Sequence, residues 1–458
     1  MTTAPRPSRQ MDGKGRTVRE LLAGRKYSID YYQREYKWQQ KQLAELIDDL
    51  TAKFHESHEH GNERSAVADY GLYFLGSIIV DTEKRTRASR VWKERVQALA
   101  ELGKDEDADG IKPWLRSQYA ESIRERKRDA APQDFDLIGT EFHRWVRDHE
   151  TALGLTASEF ARFIERDFAF YARWYERLRR AGETLTQGLE CVHFNAQHNF
   201  TLQYPVLLAP LRVEDDETAA LRKLRVVAAY LDILIHRRIW NGRAIDYSTM
   251  QYAMFLVMRD VRGRSAEELA AMLEDRLDPE TAPDFAANGA FRLHGMNGRQ
   301  IHRLLARMTD YVETRSGQAS RYAEYAQRGK KGYEIEHVWA DHPERHQDEF
   351  GHPSEFQEYR NRIGGLVLLP KSFNASYGDL PYAEKRGHYA GQNLLARSLH
   401  ESAYDHNPGF KRFIAESGLP FRANAKFRKA DLDARQALYQ QLAERIWSPE
   451  RLAQEAAS

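Results

Sequence analysis

Apolar side chains recur every three or four residues over most of residues 86–315. One such stripe runs through residues 160–178, and another runs through residues 221–234. This spacing places apolar side chains on one face of an α-helix, where they pack against neighbouring helices. The pattern therefore predicts a long helical middle section whose stripes form a core and do not bind a cofactor.

The chain has 458 residues, with 41% hydrophobic and 30% charged side chains. Single hydrophobic cores stop growing at about 250 residues, so this length predicts two or three domains. The fold class that we predict is α+β and mostly α-helical. We expect a disordered leader over residues 1–16, a small N-terminal part over 17–85, a helical domain over 86–325 and a last domain over 326–458.

Composition excludes several classes of protein. No apolar run approaches the roughly 20 residues that span a bilayer, and the N-terminus lacks the apolar core of a secretion signal, so we expect a cytoplasmic protein without a membrane partner. The lone cysteine, Cys191, excludes an internal disulfide framework, and its apolar neighbours predict burial. The formal net charge is only +1, so any DNA-binding surface must be a local patch.

The densest set of chemical groups lies in residues 334–346, EIEHVWADHPERH, and in residues 360–389, RNRIGGLVLLPKSFNASYGDLPYAEKRGHY. The pattern predicts a strand over residues 333–338, a second strand over 363–369, a turn at Pro370 and a helix from about Tyr382. Phosphodiester cleavage needs an activated water and a counter-charge, which a neutral imidazole and a divalent metal ion can supply. An unperturbed imidazole pKa of about 6.5 predicts loss of activity below about pH 6.

A second motif, Tyr-Gln-Arg-Glu-Tyr-Lys-Trp, occupies residues 32–38, and the apolar run FLGSIIV follows at residues 74–80. Gln33 and Arg34 offer planar donors to a phosphate or a base edge, and Tyr36 can stack on a nucleobase. The alternative is a structural role, in which the aromatic rings pack a small core and Arg34 forms a salt bridge with Glu35 or Asp48.

These motifs resemble those of the GmrSD-type restriction proteins. Residues 333–389 resemble the C-terminal His-Me-finger (HNH-like) nuclease domain of that family, a ββα-metal module. The two N-terminal motifs resemble its ParB/sulfiredoxin-like N-terminal domain. The resemblance implies that His337 is the general base, that Glu336 and Asn374 bind or orient Mg²⁺ or Mn²⁺, and that Lys385 or Arg362 steadies the scissile phosphate. Asn374 and Lys385 thereby count, with His337, as catalytic candidates.

Three departures from the family pattern affect these expectations. Ala340 stands where the family often has proline, and Gly365 stands where it often has asparagine. The nucleotide-handling signature Asp-Gly-Gln-Gln-Arg is absent after Val80, so the resemblance implies a truncated ParB-like part with little or no NTP hydrolysis.

Our favoured hypothesis is a Mg²⁺-dependent endonuclease of the modification-dependent (type IV restriction, phage-defence) class, with DNA, including modified phage DNA, as its partner. The first alternative is a catalytically weak DNA-binding remnant of such a protein, and the second is a ParB-like NTP-dependent DNA-associated factor. A zinc site at His342, His346 and His352 is disfavoured, because Pro343 interrupts the helix on which the first two would share a face.

Overall fold

Helices dominate this computed structural model, which describes residues 20, 40–70, 85–125, 127–155, 159–278 and 282–458. The chain divides into two compact units, Met1–Arg90 and Val91–Ser458. The mostly helical class is confirmed, since the described residues contain a single two-stranded sheet. The leader over residues 1–16 and the apolar run at residues 74–80 lie outside the described residues. No described helix is both long and apolar enough to cross a membrane.

In the first unit, the helix predicted from the spacing of Leu43 to Phe54 is present as α1 (Gln40–Ser57). A 3₁₀ turn follows at Arg64–Asp69. Tyr70 follows this turn, and its hydroxyl lies 2.9 Å from Nδ1 of His58, the residue after α1.

The second unit contains the helical section predicted from the apolar stripes. The helix α2 (Arg85–Ala100) runs from the first unit into the second. The helices that follow are α3 (Glu106–Tyr119), α4 (Asp134–Asp148), α5 (Phe160–Arg162), α6 (Ala169–Glu183), α7 (Glu190–Gln197), α8 (Gln203–Leu208), α9 (Glu217–Trp240), α10 (Tyr247–Val261), α11 (Ala266–Asp275), α12 (Gly298–Arg315) and α13 (Tyr322–Ala326). A π-helical segment, Phe163–Phe168, joins α5 to α6.

Side-chain caps fix where several of these helices begin. Asp216 accepts a hydrogen bond from the backbone of Ala219 at the start of α9, and Asp246 does the same for Thr249 at the start of α10. Such caps satisfy backbone donors that have no partner within the helix. Helix α9 is buried along most of its length.

A buried ionic network joins α9 to other helices. The carboxylate of Asp232 accepts hydrogen bonds from the guanidinium of Arg307 at 3.1 and 3.3 Å. Nδ1 of His236 lies 3.2 Å from the same carboxylate, and Arg451 lies 3.5 Å away. Burial opposes ionisation of Asp232, but the charges of Arg307 and Arg451 and the hydrogen bond with His236 hold its pKa far below its usual value. Cys191 is buried beside this network, as predicted, and burial raises the pKa of its thiol to about 12.

The C-terminal section contains the two strands β1 (Tyr333–His337) and β2 (Leu366–Pro370), which pair antiparallel. Every residue of β2 from Leu366 to Leu369 is buried, as is typical of a strand covered on both faces. The remaining helices are α14 (Pro353–Arg360), α15 (Lys371–Tyr377), α16 (Tyr382–Tyr389), α17 (Leu394–Arg397), α18 (Pro408–Ser417), α19 (Lys429–Ile446) and α20 (Arg451–Ala457). Short 3₁₀ turns occur at Pro343–His346, Ile363–Gly365 and Glu401–Ala403.

A hydrophobic core holds the hairpin against these helices. Trp339 is at its centre, where it stacks on Phe356 and donates from its indole nitrogen to the carbonyl of Phe427 at 2.8 Å. Val367 and Leu369 of β2 pack into the same core. The hairpin is therefore rigidly held, which matters because the candidate base lies at the end of β1.

The local prediction differs from the structure at Pro370. The sequence predicts a turn there, whereas Pro370 ends β2 and immediately precedes α15. Proline suits this place because its fixed φ favours a helix start and it needs no backbone donor. Asn374 accordingly lies within a helix that the spacing of apolar residues did not indicate.

Candidate active site

The last two residues of β1 point to opposite faces of the hairpin. Glu336 pairs with Val367 and His337 pairs with Leu366 in the antiparallel register. Since successive side chains of a strand alternate, Glu336 enters the core and His337 lies on the other face. Glu336 is only 3% exposed, whereas His337 is half-buried.

The imidazole of His337 is held by an amide that sequence analysis did not single out. Its Nε2 lies 2.9 Å from Oδ1 of Asn361, the residue after α14. The Nδ2 of the same amide donates to the carbonyl of Gln357 at 2.8 Å. Because a carbonyl only accepts, this contact fixes the amide orientation and presents Oδ1 to His337. The imidazole therefore carries its proton on Nε2.

The second ring nitrogen is left available. Nδ1 of His337 has no hydrogen-bond partner among the residues that the structure describes. Burial lowers the pKa of His337 to about 4, and the positive charges of Arg360 and Lys385 act in the same direction. A neutral imidazole with one bonded nitrogen and one free lone pair is what a general base requires.

The face behind His337 contains a buried ion pair. Nζ of Lys385 lies 2.5 Å from Oε1 of Glu336, and it also donates to the backbone carbonyl of His337 at 2.9 Å. Burial raises the pKa of Glu336 and lowers that of Lys385, and each partner opposes the shift of the other. Lys385 is 1% exposed, so it faces the strand and not a surface that DNA can reach. These contacts fit a role in which Lys385 positions His337.

The other residues that resemblance implies lie around this centre. Asn374 of α15 is partly exposed, and its Nδ2 donates to the carbonyl of Ile335 at 3.4 Å, which leaves its Oδ1 without a described partner. Arg362 lies over the ring of Tyr359 at 3.7 Å and donates to Asp433 at 3.2 Å. The guanidinium of Arg362 therefore already uses part of its hydrogen-bonding capacity on Asp433.

Gln33, Arg34 and Tyr36, the N-terminal candidates for nucleotide or nucleic-acid contact, lie outside the described residues. Their roles stay predictions.

Arg360 is a second residue that sequence analysis did not single out for the site. Its Nε donates to the carbonyl of Trp339 at 3.1 Å, and no ion pair is present for it among the described residues. Its charge lowers the pKa of His337, so the guanidinium lies near the imidazole. The signal was available: a segment directly before β2 must lie beside the end of β1 in an antiparallel pair.

Two departures from the family pattern have a structural setting. A Cβ at Gly365 would lie 3.2 Å from the carbonyl oxygen of Arg360 and 3.2 Å from Leu432, so α19 packs closely on this glycine. An amide is nevertheless present beside the imidazole, because Asn361 contacts His337. Ala340 is buried, so it adds to the packing of the segment after β1.

The three histidines of the zinc alternative have separate partners. His342 pairs with Glu344 at 2.6 Å, and His346 packs on the ring of Trp339. His352 accepts from the backbone of Ser354 and caps α14. Among the described residues, no group of three or more His, Cys, Asp or Glu side chains is arranged to hold a metal ion.

The lowered pKa of His337 predicts an unusual pH profile. A base acts only when it is deprotonated. The kcat/KM for DNA cleavage should therefore stay level from pH 8 to below pH 6. It should fall only as the pH approaches about 4. This corrects the expectation from an unperturbed imidazole. A profile of kcat/KM for nicking of supercoiled DNA checks it, and a midpoint near 6.5 would contradict the burial argument.

Comparisons with known families agree with the C-terminal resemblance. Residues 288–442 match the family described as GmrSD restriction endonucleases, C-terminal domain. This range contains α12, both strands and the candidate site residues of the C-terminal section. The match begins at residue 288, which is before residue 326, where we expected the last domain to begin.

The N-terminal resemblance has its own match. Residues 18–110 match the family described as GmrSD restriction endonuclease, N-terminal domain. No curated protein matches the chain in a sequence search. The two matched ranges occur in order and together span more than half of the 458 residues. The chain belongs to the GmrSD restriction endonuclease family.

Proposed function

We propose that this chain is a divalent-metal-dependent DNA endonuclease that uses His337 as its general base. The observation that carries the proposal is the geometry of the imidazole, with Nε2 held by Asn361 and Nδ1 free. The family supports DNA as the substrate and restriction as the activity. We also propose that the chain acts on modified phage DNA and that it does so in the cytoplasm.

In this mechanism Nδ1 of His337 accepts a proton from the attacking water. Asn361 keeps the second proton on Nε2 and fixes the plane of the ring. Lys385 holds the carbonyl of His337, so the ring cannot shift along the strand. Positioning of this kind places the base within hydrogen-bond reach of the water throughout the reaction.

A counter-charge for the cleaved phosphate is the second need. We assign this role to Arg360, whose two terminal nitrogens have no described partner and whose charge reaches His337. A guanidinium presents parallel N–H donors that match two phosphate oxygens. Arg360 replaces Lys385 in this role, because the ammonium of Lys385 is buried against Glu336.

The C-terminal family implies a divalent metal ion, and the residues present fit it in part. The free Oδ1 of Asn374 is a hard oxygen donor of the kind that Mg²⁺ prefers. Glu336 can act as a ligand only if Lys385 releases its carboxylate. When bound, Mg²⁺ or Mn²⁺ would stabilise charge on the phosphate and the leaving oxygen, and few protein ligands suffice because water and phosphate complete its shell.

The test of the proposal is a cleavage assay of the full chain on supercoiled plasmid and on phage DNA with modified bases. We expect nicking or cutting with Mg²⁺ and none with EDTA. DNA binding without cleavage on every substrate and metal would favour the alternative of an inactive remnant. GTP or ATP turnover that Arg34→Ala abolishes would favour the ParB-like NTP-dependent alternative.

Asn361 provides a prediction specific to a positioning role. Asn361→Ala should lower kcat about 10-fold to 100-fold, the usual cost of losing a group that orients a functional histidine, with little change in KM. Asn361→Asp should restore much of the rate, because a carboxylate also accepts from Nε2. It should also move the acid limb of the pH profile upwards, since a negative charge favours the imidazolium. An unchanged pH limb in Asn361→Asp would contradict this role.

Asn374 should act through the metal. We expect Asn374→Ala to lose activity at low Mg²⁺ and to recover part of it at raised Mg²⁺ or with Mn²⁺, because mass action offsets weakened binding. The metal dependence of the initial rate is the measurement. His337→Ala serves as the control, since the loss of a base is not rescued by metal. Equal metal dependence in Asn374→Ala and the parent chain would exclude Asn374 as a ligand.

A further inference from the structure

The loop that leads into α12 presents an apolar side chain to solvent. Met296 is 93% exposed, while its neighbour Asn297 is only 6% exposed. Oδ1 of Asn297 accepts from the backbone of His294 at 2.9 Å, and its Nδ2 donates to the carbonyl of Arg292 at 3.0 Å. The buried amide therefore fixes the loop, and Met296 stands on a rigid support.

This loop is attached to the candidate active site. The backbone N–H of Leu293 donates to the carbonyl of Asn361 at 2.8 Å, and Arg292 forms a β-bridge with Arg362. Asn361 in turn bonds His337. The loop backbone is thus two hydrogen bonds away from the imidazole.

Three arginines that follow the loop in sequence add positive charge to the C-terminal section. Arg299 and Arg303 lie on the first turns of α12; partial burial lowers the pKa of Arg303, and the charges of Arg299 and Arg328 act in the same direction. None of these three arginines has an ion-pair partner among the residues that the structure describes, in contrast to Arg292, which pairs with Glu358 at 3.0 Å. Uncompensated arginines of this kind are suited to phosphate groups.

We propose that Met296 is a wedge that enters a base step of duplex DNA beside the phosphate to be cut, while Arg299, Arg303 and Arg328 bind the adjoining backbone. This inference rests on the proposed function, because it takes DNA as the substrate. Proteins that kink DNA insert apolar side chains, methionine among them, between base pairs and recover the unstacking cost from backbone contacts. The unbranched methionine side chain adapts to the gap between two bases.

The experiment measures base unstacking in a chain that does not cut. The His337→Ala chain is bound to short duplexes that contain 2-aminopurine at successive positions, with cytosine or 5-methylcytosine elsewhere. We expect a several-fold rise in fluorescence at one step. Met296→Ser should abolish the rise, Met296→Leu should keep it, and Tyr252→Ser, which removes another exposed apolar side chain on α10, should leave it unchanged.

The arginines have a separate readout. Arg299→Ala and Arg328→Ala should weaken binding to all sequences alike and reduce the slope of log affinity against log salt by about 1 each. Equal fluorescence in Met296→Ser and its parent at saturating DNA would overturn the wedge, as would the absence of any DNA binding. Cleavage by the parent chain without the fluorescence rise would leave the proposed function in place and remove the wedge alone. A fluorescence rise without any cleavage by the parent chain would support the wedge and contradict the proposed function.

Discussion

His337→Ala should reduce DNA cleavage by a factor on the order of 10² to 10⁴, the contribution that a general base usually makes. The imidazole is half-buried and its Nδ1 has no described partner, so its removal takes away the acceptor for the proton of the attacking water. The hydrophobic core of the hairpin does not contain this side chain, so the chain should still fold. The rate of nicking with saturating Mg²⁺ is the measurement.

The controls separate loss of chemistry from loss of structure. His342→Ala removes a histidine five residues further along, which pairs with the exposed acidic groups of Glu344 and Asp379, and it should cut at the parental rate. Melting temperature and DNA affinity of His337→Ala should stay close to those of the parent chain. If His337→Ala cuts as well as the parent on every DNA that the parent cuts, His337 is not the base.

Sequence analysis located the centre of the site because its signals are local. A strand that ends near Glu336 and His337 and a second apolar strand over residues 363–369 follow directly from alternation and run length. The family motif then selected His337 from the 17 histidines of the chain. The described hairpin agrees with both strands to within a few residues.

What sequence analysis missed depends on three-dimensional contacts. Sequence patterns did not single out Asn361 and Arg360 for the site, and only the antiparallel register brings them beside His337. Lys385 looked like a phosphate ligand, whereas packing against β1 turns its ammonium towards Glu336. Burial likewise moves the pKa of His337, which composition and spacing cannot indicate.

The second large effect concerns the ion pair behind the base. Lys385→Met should destabilise the chain by about 3–5 kcal/mol, because the carboxylate of Glu336 would remain buried without its counter-ion. Glu336→Gln combined with Lys385→Met should recover much of this loss, since two neutral groups of similar size need no charge compensation. Urea unfolding of the parent, the single variant and the double variant measures both changes in the free energy of unfolding.

The pH dependence of Lys385→Met distinguishes a lost charge partner from lost packing. Without Lys385, burial acts on Glu336 against the charge of Arg360 only, so it raises the folded pKa of Glu336 further above the unfolded value. A carboxyl with a raised folded pKa favours the folded chain below the unfolded pKa and loses that contribution as the pH rises through the folded pKa. The deficit of Lys385→Met should therefore be larger at pH 8 than at pH 5. A deficit of equal size at both pH values would assign the effect to packing of the methylene chain, and cleavage by a folded Lys385→Met chain at the parental rate would show that His337 keeps its position without the contact to its carbonyl.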